Sequence, residues 1–302
     1  MTTLAIATWH ARPQLLEEQI VSYNAAFEDD VVHLINVNAD FHDSFWREAR
    51  DLQVDFKKYS NLYFLETPVR TYYAGVAHAF FIAVQEAIRL NINFDYIYWH
   101  TSSDLLIKKG IANYIRNFDV GFGKSHGVDL GYKVDHRGYL LPNFDHPDPS
   151  AWLKAISEDP QIAQVLKAMN LPKLHKSRCE GSFFSRQVFF ELMYPLTMHV
   201  SVSSMASPPK AYPLEEYIFA QCVEFFCQRN VVKRAPHVVS TSAAPKNIAT
   251  IAEIEKSFKS ADKFGIKRFT NELNSDERNL VREYLNLPLI GSNKGSSALA
   301  EM

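Results

Sequence analysis

Four short apolar runs, set apart by helical or charged segments, fill the first 104 residues and restrict the fold more than any other feature. Leu4–Thr8, Val31–Val37, Asn61–Leu65 and Phe94–Trp99 are rich in β-branched and aromatic residues, which marks buried strands. Between the first two, Pro13 suits the first turn of a helix reaching about Phe27, with Leu15, Leu16, Ile20 and Tyr23 on one face. A mixed-charge segment follows the second run, and a long apolar helix over Val76–Leu90 precedes the fourth. Strands that alternate with helices cross over between parallel neighbours, so an α/β fold on a mainly parallel sheet is expected.

In open sheets of this kind ligands bind beyond the carboxyl ends of the strands. The second run ends in Asn36, Asn38 and Asp40, and the fourth passes from Phe-Asp-Tyr-Ile-Tyr-Trp into His-Thr-Ser-Ser-Asp over residues 94–104. His100, Ser102, Ser103 and Asp104 therefore stand at the expected crevice. The same residues admit a plainer reading, in which Ser103 or Asp104 caps a helix over Leu105–Phe118.

The charge balance, 32 Lys plus Arg against 34 Asp plus Glu, provides no basic field for nucleic acid, which is excluded as a partner. Three cysteines, Cys179, Cys222 and Cys227, lack metal-ligand spacing and form no disulfide framework, which fits a reducing compartment. The amino terminus has no basic leader, and no run reaches the roughly 18 apolar residues of a membrane span. A soluble, cytoplasmic protein is expected, with a peripheral contact at the inner face of the membrane left open. One main domain over residues 1–288 is expected, followed by a disordered tail at 289–302 that contains Gly-Ser-Asn-Lys-Gly-Ser-Ser.

The alternation stops near residue 120. Gly121–Pro149 is rich in Gly, His, Asp and Pro and reads as irregular loops with short strands, a composition suited to a binding loop. Trp152–Met169 reads as a helix, Gly181–Tyr194 as a strand continuing into a helix, and His199–Pro213 as a mobile loop. Leu214–Gln228 has helical spacing, and Val231–Val239 reads as a late strand. Phosphate-binding and nucleophile-elbow glycine motifs are missing, which removes the commonest dehydrogenase, kinase and hydrolase readings.

Glu215 and Glu216 sit at a helix start, where the dipole and free N–H groups favour an ionised carboxylate able to act as a base. Ordinary helix-terminal charge explains the same pair. Glu180, just before Gly181-Ser-Phe-Phe184, is a second acid of interest or a solvated loop residue. His126, Asp129, His136, Asp145, His146 and Asp148 show no fixed zinc spacing, so no metal site is expected. The fourth strand ends in Ser102-Ser103-Asp104 and not in a carboxylate pair that could hold a cation on a diphosphate. Leaving-group charge would then fall to basic side chains, Lys267-Arg268 first and Lys233-Arg234 second.

Five segments together resemble the core-2/I-branching type of β-N-acetylglucosaminyltransferase and its bacterial relatives. They are Ile35–Asn38, Pro68–Gly75, Tyr96–Asp104, Gly181-Ser-Phe-Phe184 and Leu214-Glu-Glu-Tyr-Ile-Phe219. The resemblance implies a GT-A-like fold with irregular acceptor-side loops, a nucleotide-binding half over about 1–120 and an acceptor half over about 121–288. It implies inverting, metal-independent sugar transfer with no cofactor. The donor would be a nucleotide sugar, UDP-linked, and the partner a glycan or glycolipid acceptor of surface polysaccharide or lipopolysaccharide synthesis. It places the catalytic base on Glu216 and diphosphate binding on Lys267 and Arg268, and with this reading Asn38, Arg70, Ser103 and Asp104 are expected to hold the donor. Acceptor binding falls on Glu180, Gly181, Ser182, Phe184 and Glu215. Asn38 stands where the family usually has Asp, and Gln221 where it commonly has Thr. The alternative is a carbohydrate- or nucleotide-binding protein that keeps this fold without the activity.

Overall fold

The computed structural model describes residues 1–72, 75–123, 126–128, 133–134, 140–141, 164, 168–169, 174–199, 214–241 and 248–290. The four expected strands are β1 (Thr3–Trp9), β2 (Val31–Val37), β3 (Leu62–Phe64) and β4 (Tyr96–Thr101). Helix α1 (Pro13–Phe27) follows β1, α2 (His42–Asp51) occupies the mixed-charge segment, and α3 (Ala77–Arg89) precedes β4. There follow β5 (Asp104–Leu106), α4 (Ile111–Ile115), β6 (Val120–Gly121), β7 (His126–Val128), β8 (Lys133–Val134), β9 (Leu140–Leu141), β10 (Leu174–Lys176) and β11 (Ser182–Ser185). The later elements are α5 (Arg186–His199), α6 (Leu214–Arg229), β12 (Arg234–Ala235), β13 (Val239–Thr241), α7 (Ile251–Lys259), β14 (Gly265–Lys267) and α8 (Asp276–Leu285).

The central sheet has seven strands in the order β12-β6-β11-β4-β1-β2-β3. Pairings β1–β2, β1–β4, β2–β3 and β12–β6 are parallel, whereas β11 pairs antiparallel with both β4 and β6. The fold is thus a mainly parallel α/β sheet flanked by helices, as the alternation requires. Period-two geometry divides its side chains between two cores. On β4, Ile97 and Trp99 join one core and Tyr98 the other, and on β11 Phe184 and Phe183 divide in the same way. The first core is closed by α3, α5 and α6, with Trp99 stacked on Phe80 at 4.1 Å between ring centroids. The second is closed by α1, α4 and the small sheet β13-β14-β5.

Two expectations are corrected. Leu105–Phe118 is not a helix capped by Ser103 or Asp104. Asp104–Leu106 forms a strand against β14, and α4 starts only at Ile111, behind Gly110 at φ 87°. Leu105 and Leu106 are buried in register with Ile266 and Gly265, so tertiary burial overrides the local helical pattern. Nor is Val231–Val239 one strand: Pro236, which has no N–H to donate, separates β12 from β13, and Val231 is exposed. The expected tail and most of Gly121–Pro149, Trp152–Met169 and His199–Pro213 lie outside the described residues.

The carboxyl-terminal helix is tied to α1 by a buried ion-pair triad, with Glu18 binding Arg278 and Arg282 through one oxygen each. All three side chains are at least nine-tenths buried. Glu18→Ala would leave two guanidinium groups buried without their anion, and is expected to lower stability by about 3–5 kcal/mol in urea unfolding. Breaking the exposed Arg12–Glu48 pair should cost under about 1 kcal/mol.

Candidate active site at the carboxyl end of the central strands

Beyond β4 the chain turns through Thr101–Asp104 into β5, and α1 holds that turn from beneath. Asp104 is 1% exposed. Its Oδ1 accepts the Tyr23 hydroxyl and the Gln19 Nε2 amide, both at 2.9 Å, and its Oδ2 accepts the Thr101 N–H at 3.1 Å. Gln19 Nε2 also donates to the carbonyls of Thr101 and Asp104 at 2.7 and 2.6 Å. Burial pushes the Asp104 carboxyl up to about 7. Expected at the donor, Asp104 is instead turned inward, and burial takes its oxygens out of a ligand's reach.

At the end of β2, Asn36 and Asn38 pin the segment before α3. The Asn36 amide donates to the Val69 carbonyl at 2.9 Å and accepts the Val69 N–H at 2.8 Å. Asn38 Nδ2 donates to the Thr71 carbonyl at 2.8 Å, and its Oδ1 accepts the Asp40 N–H. Asn38 is 2% exposed, so it shapes this wall from within. Arg70 is exposed on the wall and bonds Asp40 at 2.7 Å. The Ser103 hydroxyl lies 3.3 Å from that of Thr101.

Opposite, the structure brings together residues far apart in sequence. The Gly181 N–H donates to the Trp99 carbonyl at 2.8 Å, which sets Glu180 beside the end of β4. The Ser177 N–H donates to the Glu216 carbonyl at 3.1 Å, and the Cys179 thiol to the Glu215 carbonyl at 3.7 Å, so the start of α6 lies against the same segment. Lys267, whose backbone faces Asp104 in the β14–β5 register, binds Glu180 through Nζ. Burial alone would raise the Glu180 carboxyl, but the charge and hydrogen bond of Lys267 win and hold it below its ordinary value. Glu215 is 7% exposed, and burial pushes it up to about 7, with repulsion from Glu216 and Glu180 adding to the rise. Glu216, one residue on, is half-buried. The Oε2 atoms of Glu180 and Glu215 and the Oγ of Ser182 are buried without a hydrogen-bond partner among the described residues.

Arg268 follows with φ 81°, and its N–H donates to the Ser103 carbonyl at 2.7 Å. Gly181 has φ 74°, and a Cβ there would stand 2.6 Å from Val239, so only glycine suits this approach. Phe184, expected at the acceptor, is 1% exposed and packs with Phe122 and Phe189, so it is core. Arg234 is drawn off by Glu224 at 2.7 Å. Sequence reasoning missed Gln19 and Tyr23 as partners of the turn, since Tyr23 fits the apolar face of α1 and only its hydroxyl hints at a second role. The His/Asp-rich candidates lie outside the described residues, with His126 described only as part of β7. Among the described residues no cluster of His, Cys, Asp or Glu is arranged to hold a metal, and no helix is long and apolar enough to cross a membrane.

No protein-family model and no curated protein matches the chain. Among solved structures it is similar to a nucleoside-diphosphate-sugar pyrophosphorylase from Vibrio cholerae RC9, at 12% identity and a TM-score of 0.38. The match covers 78% of this chain and 91% of that one. A likeness of that degree carries no argument about activity, so the glycosyltransferase resemblance stands on its five sequence segments.

Glu215 provides a test of the site's electrostatics. Because its folded pKa lies above the ordinary 4.5, at about 7, the folded protein favours the protonated acid. The stability this contributes is present in full below about 4.5 and is lost as pH rises through 7. Glu215→Gln should therefore raise stability by roughly 2 kcal/mol at pH 8 relative to the native protein, with the difference gone near pH 4, measured by urea unfolding across pH.

Proposed function

We propose that the protein is an inverting, metal-independent glycosyltransferase that moves a sugar from a nucleotide sugar to a glycan or glycolipid hydroxyl. The observation that carries this reading is the meeting of Glu180, Glu215 and Glu216 with Lys267 beyond the carboxyl end of β4, with Arg268 the next residue along the chain. An acid able to take a proton then stands in one site with cations able to meet an anionic leaving group. Glu216, in the first turn of α6 and less buried than Glu215, is the base. It takes the acceptor hydroxyl proton as that oxygen bonds to the anomeric carbon and the bond to the diphosphate breaks, leaving both electrons on the diphosphate. Lys267 and Arg268 meet the charge that develops there, Lys267 exchanging Glu180 for phosphate oxygen.

Adjacent acids with different environments take different roles. Glu215, which keeps its proton until about pH 7, is suited to donate a hydrogen bond below that pH, while Glu216 accepts the proton. Arg70 and Ser103 line the donor side, with Asn38 shaping it, and Glu180, Gly181 and Ser182 border the acceptor side. That the donor is UDP-linked, that no metal takes part and that the product belongs to a surface polysaccharide or lipopolysaccharide are carried over from the family resemblance.

Glu216→Gln should lower turnover of a nucleotide sugar by about 10²–10⁴-fold while leaving its binding within about twofold, measured by product formation and calorimetry. Undiminished turnover in that variant rejects Glu216 as base, and a native protein that binds the nucleotide sugar but never transfers it is the non-catalytic alternative. Activity lost in EDTA and restored by Mn²⁺ rejects the metal-independent mechanism.

A further inference from the structure

We propose that Asp104 is a positioning residue, which fixes the turn between β4 and β5 and, through that turn, the backbone of Lys267 and Arg268 for an anionic ligand. Asp104 cannot serve by contact, because its side chain is 0% exposed and its oxygens are engaged by Tyr23, Gln19 and Thr101. The other face of the turn is engaged as well. The Ser103 carbonyl accepts the N–H groups of both Arg268, at 2.7 Å, and Phe269, at 3.2 Å. Asp104 itself faces Lys267 across the β5–β14 pairing.

Arg268 sits at φ 81°, a conformation that a residue with a side chain adopts only where its surroundings over-determine it. Its peptide groups are held on two sides, the N–H by Ser103 and the carbonyl by the Ala249 N–H at 2.8 Å. Of these two anchors, Ser103 belongs to the turn that Asp104 pins to α1. A carboxylate is also a poor choice for mere filling. Burial raises it to about 7, so its ionised form opposes folding, and the return for keeping it is a fixed turn. Strain at Arg268, a pinned carbonyl beside it and a buried acid beneath form one continuous support. This inference rests on the reading of Lys267 and Arg268 as the groups that face the diphosphate.

A double-mutant cycle on UDP-glucose binding, measured by calorimetry at neutral pH, tests it. Asp104→Leu should weaken binding on the order of tenfold when Arg268 is present and by only about threefold in an Arg268→Ala background, where the part carried by Lys267 alone is left to lose, since coupled residues are not additive. Equal losses in both backgrounds overturn the proposal, because damage that merely loosens the fold would not depend on Arg268. If Asp104→Leu fails to fold, Tyr23→Phe removes one donor from the same carboxylate and should show the same coupling at smaller size. Should UDP-glucose fail to bind the native protein, it is not the donor, and hydrogen exchange decides the positioning separately. Exchange at the Arg268 and Phe269 amides should then quicken at least about tenfold in Asp104→Leu or Tyr23→Phe relative to that of Leu34 in β2, and unchanged exchange there overturns the inference.

Discussion

The site depends on one antiparallel pairing. Because β11 runs against β4, its first residues lie at the carboxyl end of β4, where a parallel strand would place its last. Four residues of strand span roughly 13 Å, so a parallel β11 would carry Glu180 and Gly181 to the far edge of the sheet. Gly181 makes the entry possible. Its N–H meets the Trp99 carbonyl, its carbonyl accepts the Val238 N–H, and its missing Cβ lets Val239 approach. Through that contact β13 docks, β14 pairs with β13, and Lys267 arrives beside Glu180. A single strand reversal thus assembles groups from residues 99, 180, 239 and 267.

Electrostatics then separates the three acids that the topology gathers. Glu180 has Lys267 and stays ionised. Glu215 shares the neighbourhood, with one oxygen buried and unpartnered among the described residues, and keeps its proton to a higher pH. Two buried carboxylates near one lysine cannot both be cheaply ionised, since each pays desolvation and they repel one another. The division is therefore largely a consequence of where Lys267 goes. Lys267 goes to Glu180 because β14 is anchored by β5, and β5 by the turn above α1.

The parallel half of the fold was readable because each strand is a short β-branched or aromatic run with a long helix or charged stretch after it. Val31–Val37 and Pro13–Phe27 match their expected limits. What failed was local pattern where burial comes from distant chain: Leu105 and Leu106 suit a helix in isolation but are drawn into β5 by Ile266. The site was half visible for the same reason. A motif segment marked Glu216, and local sequence marked Glu180 and Lys267, but nothing local in a strand shows which side chains point outward past a turn. Asp104 and Phe184 thus read as ligand residues when one is a buried anchor and the other core. Their partners Tyr23, Gln19 and Phe189 lie on elements whose packing faces the sequence shows only as apolar stripes.

Position on the helix also separates the two neighbouring acids. Successive residues on a helix are about 100° apart, so Glu215 and Glu216 cannot face the same surroundings. In α6, Glu215 shares the inward side with Ile218 and Cys222, at steps of three and four, and is buried with them. Glu216 has Phe219, Ala220 and Val223, equally buried, at the same steps on its own side, yet in the first turn of the helix it keeps part of its surface. A base must reach the proton it removes, and it must lose that proton to water once the reaction is over. Of the two neighbours, Glu216, which keeps some exposed surface, is the one suited to both on the proposed reading. Their identical chemistry is thus divided by how deeply each is buried at the start of a packed helix.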